Sequence, residues 1–377
     1  MSQDLAPERQ PNVAISILNW NGWRDTIECL ESVRQLQYTN YLTIVVENGS
    51  WDDSAERITA WARERLGPGH VLAEYSRQTA LQGGEASTEK ALDAVPSTSR
   101  LVLIRNEENL GFTGGNNVGI QYALSRRGNA DFVLLLNNDA VLMPTCLTEL
   151  VAVGRRADAG VVGAIMMDRA TGKLWFAGID EKHPTPRLLV PALFPRSREM
   201  PRVAADFFPS PWVWGGTMLI GAETLVAVHR AKGRFLDPAL FIYGDEAEFC
   251  RAARAEGFKI VVARKAVTYH KGGSSGGGRL NPLAYYYFYR NRILLARRFV
   301  PAYWKPLFHF GNSLFCLLRV CEKLVHKRFR HARAILCGLY DGYGGNMGKW
   351  RYHDAEGKKV HGHSSEASPR AGLARAD

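Results

Sequence analysis

At 377 residues with 46% hydrophobic content, the chain can bury a full core, and one large α/β domain with a C-terminal extension is more economical than three domains. The net charge of +11 is unevenly placed: residues 1–280 hold 31 basic and 31 acidic side chains, whereas from 281 onward 17 Lys and Arg face 6 Asp and Glu. Met1 to Pro11 carries acids and no apolar core, which excludes a secretion signal, and Cys29, Cys146, Cys250, Cys316, Cys321 and Cys337 show no metal spacing, as expected of reduced thiols in a cytoplasmic chain.

In chain order, Val13 to Leu18 reads as a buried strand ending at Asn19-Trp20-Asn21-Gly22. Asp25-Thr26-Ile27-Glu28 then has the form of a capping box opening a helix with Ile27, Leu30 and Val33 inward. Leu42 to Val46 is the next strand, ending at Glu47-Asn48-Gly49-Ser50, and Asp52-Asp53-Ser54 can cap the helix after it. Residues 67–100 form a polar insertion with no visible chemistry. Leu101 to Ile104 is a short strand leading into the glycine-rich Asn109 to Gly119 and a further helix. That segment lacks Walker spacing, and no Gly-x-Gly-x-x-Gly opens the first crossover, which disfavours a dinucleotide-dependent dehydrogenase. The alternation predicts a mostly parallel sheet with helices on both faces.

Phe132 to Leu136 is the strongest strand signal and ends abruptly at Asn137-Asn138-Asp139. Ligands of parallel sheets gather at strand carboxyl ends, and a hard carboxylate there suits Mg²⁺ or Mn²⁺ on a diphosphate; an Asn-Asp turn that merely ends a strand fits the segment equally. Prolines 184, 186, 191, 195, 201, 209 and 211 predict an irregular excursion, followed by Trp212, Trp214, Gly215 and Gly216, where aromatic faces beside paired glycines suit a sugar ring. Gly244-Asp245-Glu246-Ala247-Glu248 gathers three acids, and Gly272 to Gly278, with Lys271 and Arg279 beside it, reads as a flap over a diphosphate.

The ordered set Ile17 to Gly22, Val45 to Ser50, Asn109 to Gly119, Leu135 to Asp139, Trp214 to Ile220, Phe241 to Phe249 and Tyr269 to Ser274 resembles glycosyltransferase family 2, closest in wording to its rhamnosyltransferase-like branch, over roughly residues 12–280. The resemblance implies a GT-A type nucleotide-diphospho-sugar transferase fold, a nucleoside-diphosphate sugar donor, Mn²⁺ or Mg²⁺, and inversion at the anomeric carbon. It implies donor contacts from Asn19, Glu47, Asn48, Asn109, Gly111, Asn116, Asn117 and Asn138, and metal contacts from Asp139 and His270. Trp214, Gly215, Gly216 and Glu248 fall on the acceptor side, and Glu246 takes the place of the general base with Asp245 as runner-up. Two departures stand out: Glu47 replaces the usual Asp, and Asp245-Glu246 reverses the usual Glu-Asp order. With one acid left in the metal motif, an imidazole ligand favours Mn²⁺ over Mg²⁺.

The basic excess after residue 281 is interleaved with Tyr285 to Arg292, Trp304 to Phe308 and Leu314 to Arg319, the pattern of amphipathic helices on an anionic membrane surface. The apolar stretch 307–318 is broken by His309, Gly311 and Asn312 and is too short to span a bilayer. The aromatics cluster without a nucleic-acid module, so nucleic acid is not expected as a partner. The expected divisions are a catalytic domain at 1–280, a basic helical extension at 281–354 with Arg290 a candidate for an acceptor diphosphate, and a disordered tail at 355–377. The best reading is transfer of rhamnose from dTDP-rhamnose to a glycan or polyprenyl-diphosphate-linked acceptor of bacterial surface polysaccharide, peripheral on the inner face of the plasma membrane. Another hexosyl- or galactofuranosyltransferase of the same family is the near alternative. A sugar-phosphate nucleotidyltransferase or a non-catalytic carbohydrate-binding protein is the distant one, and homo-oligomerisation stays open.

Overall fold

The computed structural model describes residues 9–126, 128, 130–179, 205–271 and 281–350. The predicted alternation is present: β1 (Val13–Asn19), α1 (Trp23–Arg34), β2 (Tyr41–Asn48), α2 (Ser54–Arg65), β3 (Val71–Ser76), α3 (Arg77–Leu81), α4 (Ala86–Asp93), β4 (Arg100–Asn106), α5 (Gly111–Ser125) and β5 (Phe132–Asn137). There follow β6 (Ala140–Leu142), α6 (Cys146–Ala157), β7 (Ala159–Asp168), β8 (Leu174–Phe176), β9 (Phe207–Pro209), β10 (Thr217–Gly221), α7 (Ala222–Lys232), α8 (Asp245–Ala255) and β11 (Lys259–His270), then α9 (Pro282–Phe299), α10 (Lys305–Val325) and α11 (Phe329–Gly344). The sheet runs β3-β4-β2-β1-β5-β10-β7-β11-β6, with β8 on β7 and β9 on β11. Its first five strands are mutually parallel; β10 runs antiparallel between β5 and β7.

Both faces are buried, which is why the strands read as continuous apolar runs. Val13, Ile15 and Ile17 pack with Leu30 and Val33 of α1, Ile58 of α2 and Leu150 of α6. The alternate positions, Ala14, Ile44, Val46 and Leu135, pack with Ile120 of α5, Leu225 of α7 and Phe249 of α8. The period of two in the strand thus assigns each residue to one helical layer or the other.

Three local expectations are corrected. Helix α1 begins at Trp23 rather than at a box on Asp25; Gly22 sits at its N-cap, and the Thr26 hydroxyl donates to Asn19 Oδ1 and the Gly22 carbonyl. Residues 67–100 are not a bare insertion, since they supply β3 and two short helices. Glu89 of α4 is buried there, accepting from the hydroxyls of Tyr75 and Tyr122 and pairing with Arg126 at 2.8 Å. Most of the glycine-rich Asn109–Gly119 segment is helix, because α5 starts at Gly111. A Cβ at Gly115 would lie 2.4 Å from Leu18 Cδ1, and one at Gly119 would lie 2.3 Å from Ser16 Oγ, so these glycines let α5 lie close on β1 and β2.

Helices α9 to α11 share a cluster in which Phe241 meets Tyr285, Tyr287, Cys316 and Ile335. Arg290 is fully buried, with its guanidinium donating to the carbonyls of Ala239, Leu240 and Gly348. It cannot also reach an acceptor diphosphate, and that expectation is withdrawn.

Candidate active site

Asp139 follows β5, and β6 immediately after it pairs antiparallel with the end of β11, bringing Ala140 opposite His270. The result is a close pair: His270 Nε2 lies 3.0 Å from Asp139 Oδ1, and both side chains are 6% exposed. Two donors each about 2.1 Å from one small cation at right angles are about 3 Å apart, so the pair fits a divalent ion that keeps most of its positions for diphosphate oxygens and water. Among the described residues no group of three or more His, Cys, Asp or Glu side chains is placed to hold a metal ion. The imidazole is oriented by Trp175, stacked on it at 5.1 Å, and by the edge of Trp214; Asn137 Nδ2 lies 3.4 Å from the same Nε2.

The donor-side residues line up at the carboxyl ends of β1, β2, β4 and β5, and most of them hold one another. Asn138 Nδ2 donates to Thr26 Oγ1 and the Gly22 carbonyl, and Asn19 Nδ2 donates to Ser50 Oγ. Glu47 is buried and accepts from the Ser50 amide at 2.8 Å, so the longer acid still closes the β2 turn. Asn48 donates to Asn109 Oδ1 and the Gly111 carbonyl while accepting from Asn106 and the Leu110 amide, a cross-brace between β2 and the start of α5. Gly111, at φ +75°, touches Phe241 and admits no Cβ. Asn116 donates back to the Phe112 carbonyl inside its own helix, and Asn117 is bonded on both sides to Leu236, so these two amides are committed to the scaffold.

The acids stand at the N-terminus of α8 behind a tight loop. Phe241 and Tyr243 have φ of +63° and +70°, and Gly244 has +84°; two non-glycine residues in the left-handed region are strained, of order 1–3 kcal/mol each. What holds them is Asn291 of α9, whose Nδ2 donates to the carbonyls of Leu240, Ile242 and Tyr243. Asp245 and Glu246 are directly hydrogen-bonded to each other. Burial and the Glu246 charge push Asp245 well above the carboxylate range; burial also raises Glu246, but the hydrogen bond from Asp245 works against that rise. The two carboxyls therefore share one buried site and titrate as a pair rather than independently.

Tyr243 ties the two halves together. The residue is 41% exposed, yet partial burial and then the charges of Glu246, Asp139 and Asp245 raise its hydroxyl. Gly215 passes against Glu246, where a Cβ would lie 3.5 Å from Glu246 Cβ. Gly216 lies against Trp214 and Asn137, and its carbonyl accepts from the Asn137 amide. Asp139, His270, Trp214, Gly215, Gly216, Asp245 and Glu246 thus surround one region.

Other placements are less central. Glu248 is buried with its carboxylate on Arg234 at 2.9 Å, next to Asp237 and Arg298, an ion-paired tie of α8 to its neighbours rather than a group facing outward. Lys271, expected beside a diphosphate, bonds Asp25 at 2.6 Å and pairs with Glu28. Gly272 to Gly278 and Arg279, and most of the proline-rich excursion, lie outside the described residues; Pro209 itself sits in β9, on β11. Sequence reasoning missed Trp175, which no motif flagged, and Tyr243, which lay inside the Phe241–Phe249 motif but was given no role.

Residues 80–284 match the family model described as Glycosyltransferase like family 2. A hexosyltransferase of low-salt glycan biosynthesis, Agl10 of Haloferax volcanii, is 26% identical over 153 residues, spanning 40% of this chain and 46% of that protein, less than half the relative's length. In fold the chain is similar to the mannosyltransferase PcManGT of Pyrobaculum calidifontis, solved with GDP-Man and Mn²⁺, at a TM-score of 0.51 and 12% identity over 91% of this chain and 90% of that one. The fold is accordingly of the GT-A kind, with α9–α11 added after it. With more than half of its length under the family model, this chain belongs to glycosyltransferase family 2.

Proposed function

We propose that this chain is an inverting, divalent-metal-dependent glycosyltransferase that moves a hexose, rhamnose from dTDP-rhamnose being the first choice, onto a hydroxyl of a glycan carried on a polyprenyl diphosphate. The observation that carries the reading is a chain of close approaches: Asp139 pairs with His270 at 3.0 Å, Trp214 sets its edge on that imidazole, and Gly215, next to Trp214, passes against Glu246. One cleft then holds a carboxylate suited to a cation and a carboxylate suited to a proton.

Asp139 and His270 would hold Mn²⁺ or Mg²⁺, and the bound ion would neutralise the departing nucleoside diphosphate. Glu246 accepts the proton of the acceptor hydroxyl as that oxygen attacks the anomeric carbon, and the nucleoside diphosphate leaves from the opposite face. Asp245 stays protonated in this scheme and donates a hydrogen bond to Glu246 without giving up the proton, which fixes the orientation of the base. Trp214 offers an aromatic face, and Gly215 and Gly216 leave room for a sugar ring against backbone. A lipid-linked acceptor places the enzyme at the inner face of the plasma membrane.

The test is a panel of dTDP-, UDP- and GDP-sugars with Mn²⁺, scored by thermal stabilisation and by release of nucleoside diphosphate. The expected result is metal-dependent stabilisation that is largest with dTDP-rhamnose. A strong preference for another nucleotide sugar would replace the donor and keep the chemistry, whereas no response to any of them would overturn the reading.

A further inference from the structure

Helix α10 has an exposed face made of Pro306, Leu307, Phe310, Ser313, Leu314, Leu317, Leu318, Cys321, Leu324 and Val325, and not one of these residues is charged. They recur at three- and four-residue spacing over the full 21-residue helix, and several are more than half exposed: Phe310 at 72%, Leu318 at 60%, Val325 at 78%. Helix α11 continues the surface with Phe329, Leu336 and Tyr340. An uncharged and mostly apolar face of this length is far outside what a surface helix leaves in water.

We infer that this face of α10 and α11 beds in the plane of an anionic lipid leaflet. This deepens the membrane part of the reading above, and it stands or falls without any sugar nucleotide. Residues 281–350 carry 12 Lys and Arg against 2 acids, Glu322 and Asp341. Lys327, Arg328, Arg330 and Arg333 are exposed at the turn joining the two helices and on the first turns of α11, beside the apolar face, where long basic side chains reach lipid headgroups while their stems stay with the hydrocarbon. Tyr303 and Trp304 stand exposed at the other end of α10, as aromatic residues do at a membrane interface. Positive charge and interfacial aromatics around an apolar strip favour lipid over a second copy of the chain, whose identical basic rim would repel. No described helix is long and apolar enough to cross a membrane, so the mode is in-plane.

The consequence reaches the active site. Helix α9 packs between these helices and the strained loop before the acids, where Asn291 grips the backbone of Leu240, Ile242 and Tyr243. A leaflet holding α10 and α11 would hold that loop at a fixed attitude to lipid-linked acceptors.

The experiment is flotation of the full-length protein with vesicles of phosphatidylcholine alone and with about 30% phosphatidylglycerol, at low and high salt. The wild type should float with the anionic vesicles, less so at high salt, and Leu314→Glu with Leu318→Glu should lower binding at least about tenfold. Both side chains point outward, so the double variant should melt like the wild type, and Lys327→Glu with Arg330→Glu should weaken binding without touching the apolar strip. Equal flotation of the Leu314/Leu318 variant, or no flotation of the wild type at low salt, overturns the inference. A dimer dispersed by the same two glutamates, with no vesicle binding, would give the face to a second copy.

Discussion

Glu246→Gln separates the roles of the two acids. Gln has the same shape, keeps the backbone hydrogen bonds that Glu246 makes at the start of α8, and touches neither Asp139 nor His270, so donor and metal binding should survive. Loss of a positioned base costs about 10²–10⁴ in rate, or about 3–5 kcal/mol of transition-state stabilisation. Stability should move the other way. Burial raises both carboxyls above their unfolded values of about 4, so the stability associated with their neutral forms is present at low pH and is lost as the pH rises through the folded-state values. Replacing Glu246 by a neutral amide removes part of that loss, and the variant should melt higher than the wild type at pH 8, with the gap closing below about pH 4. Release of nucleoside diphosphate and melting curves at both pH values provide the two readouts. Turnover within about tenfold of the wild type, or a lower melting temperature at pH 8, would falsify the assignment of Glu246 as the charged base.

Asp245→Asn retains a hydrogen-bond donor to Glu246 and mimics the neutral acid, so activity and the acidic limb of the rate profile should persist; complete loss of transfer would point to Asp245 as the base. Asp139→Ala and His270→Ala should each abolish the extra thermal stability that Mn²⁺ plus nucleoside diphosphate confers, and an undiminished shift would move the cation elsewhere. Glu89→Ala leaves Arg126 without its buried partner and two tyrosine hydroxyls without their acceptor, a loss of about 3–5 kcal/mol in urea denaturation, with a near-neutral result contradicting the buried network. Gly119→Val places a branched side chain where even a Cβ would meet Ser16 Oγ at 2.3 Å, and should cost at least about 1–3 kcal/mol by the same measurement; unchanged stability would mean that α5 can lift from the sheet.

The sequence by itself determined the strands, their order of appearance and the carboxyl-end chemistry, because a doubly covered parallel sheet forces aliphatic runs and leaves polar residues only where the strands end. Phe132 to Asp139 is the clearest case: the switch from aliphatic to amide and acid marks both the strand end and the carboxylate that pairs with His270. What composition and spacing could not show was which amides face a ligand. Asn48, Asn116, Asn117 and Asn138 look alike in the sequence, yet each is bonded to a particular backbone or side-chain partner supplied by another turn of chain. The 130 residues between Asp139 and His270 were closed by a three-residue strand, β6, too short to carry a periodic signal. Only the tertiary structure decided that Arg290 and Asn291 hold a strained loop instead of a substrate, since a buried guanidinium is identified by the carbonyls around it, and those come from a segment about fifty residues away.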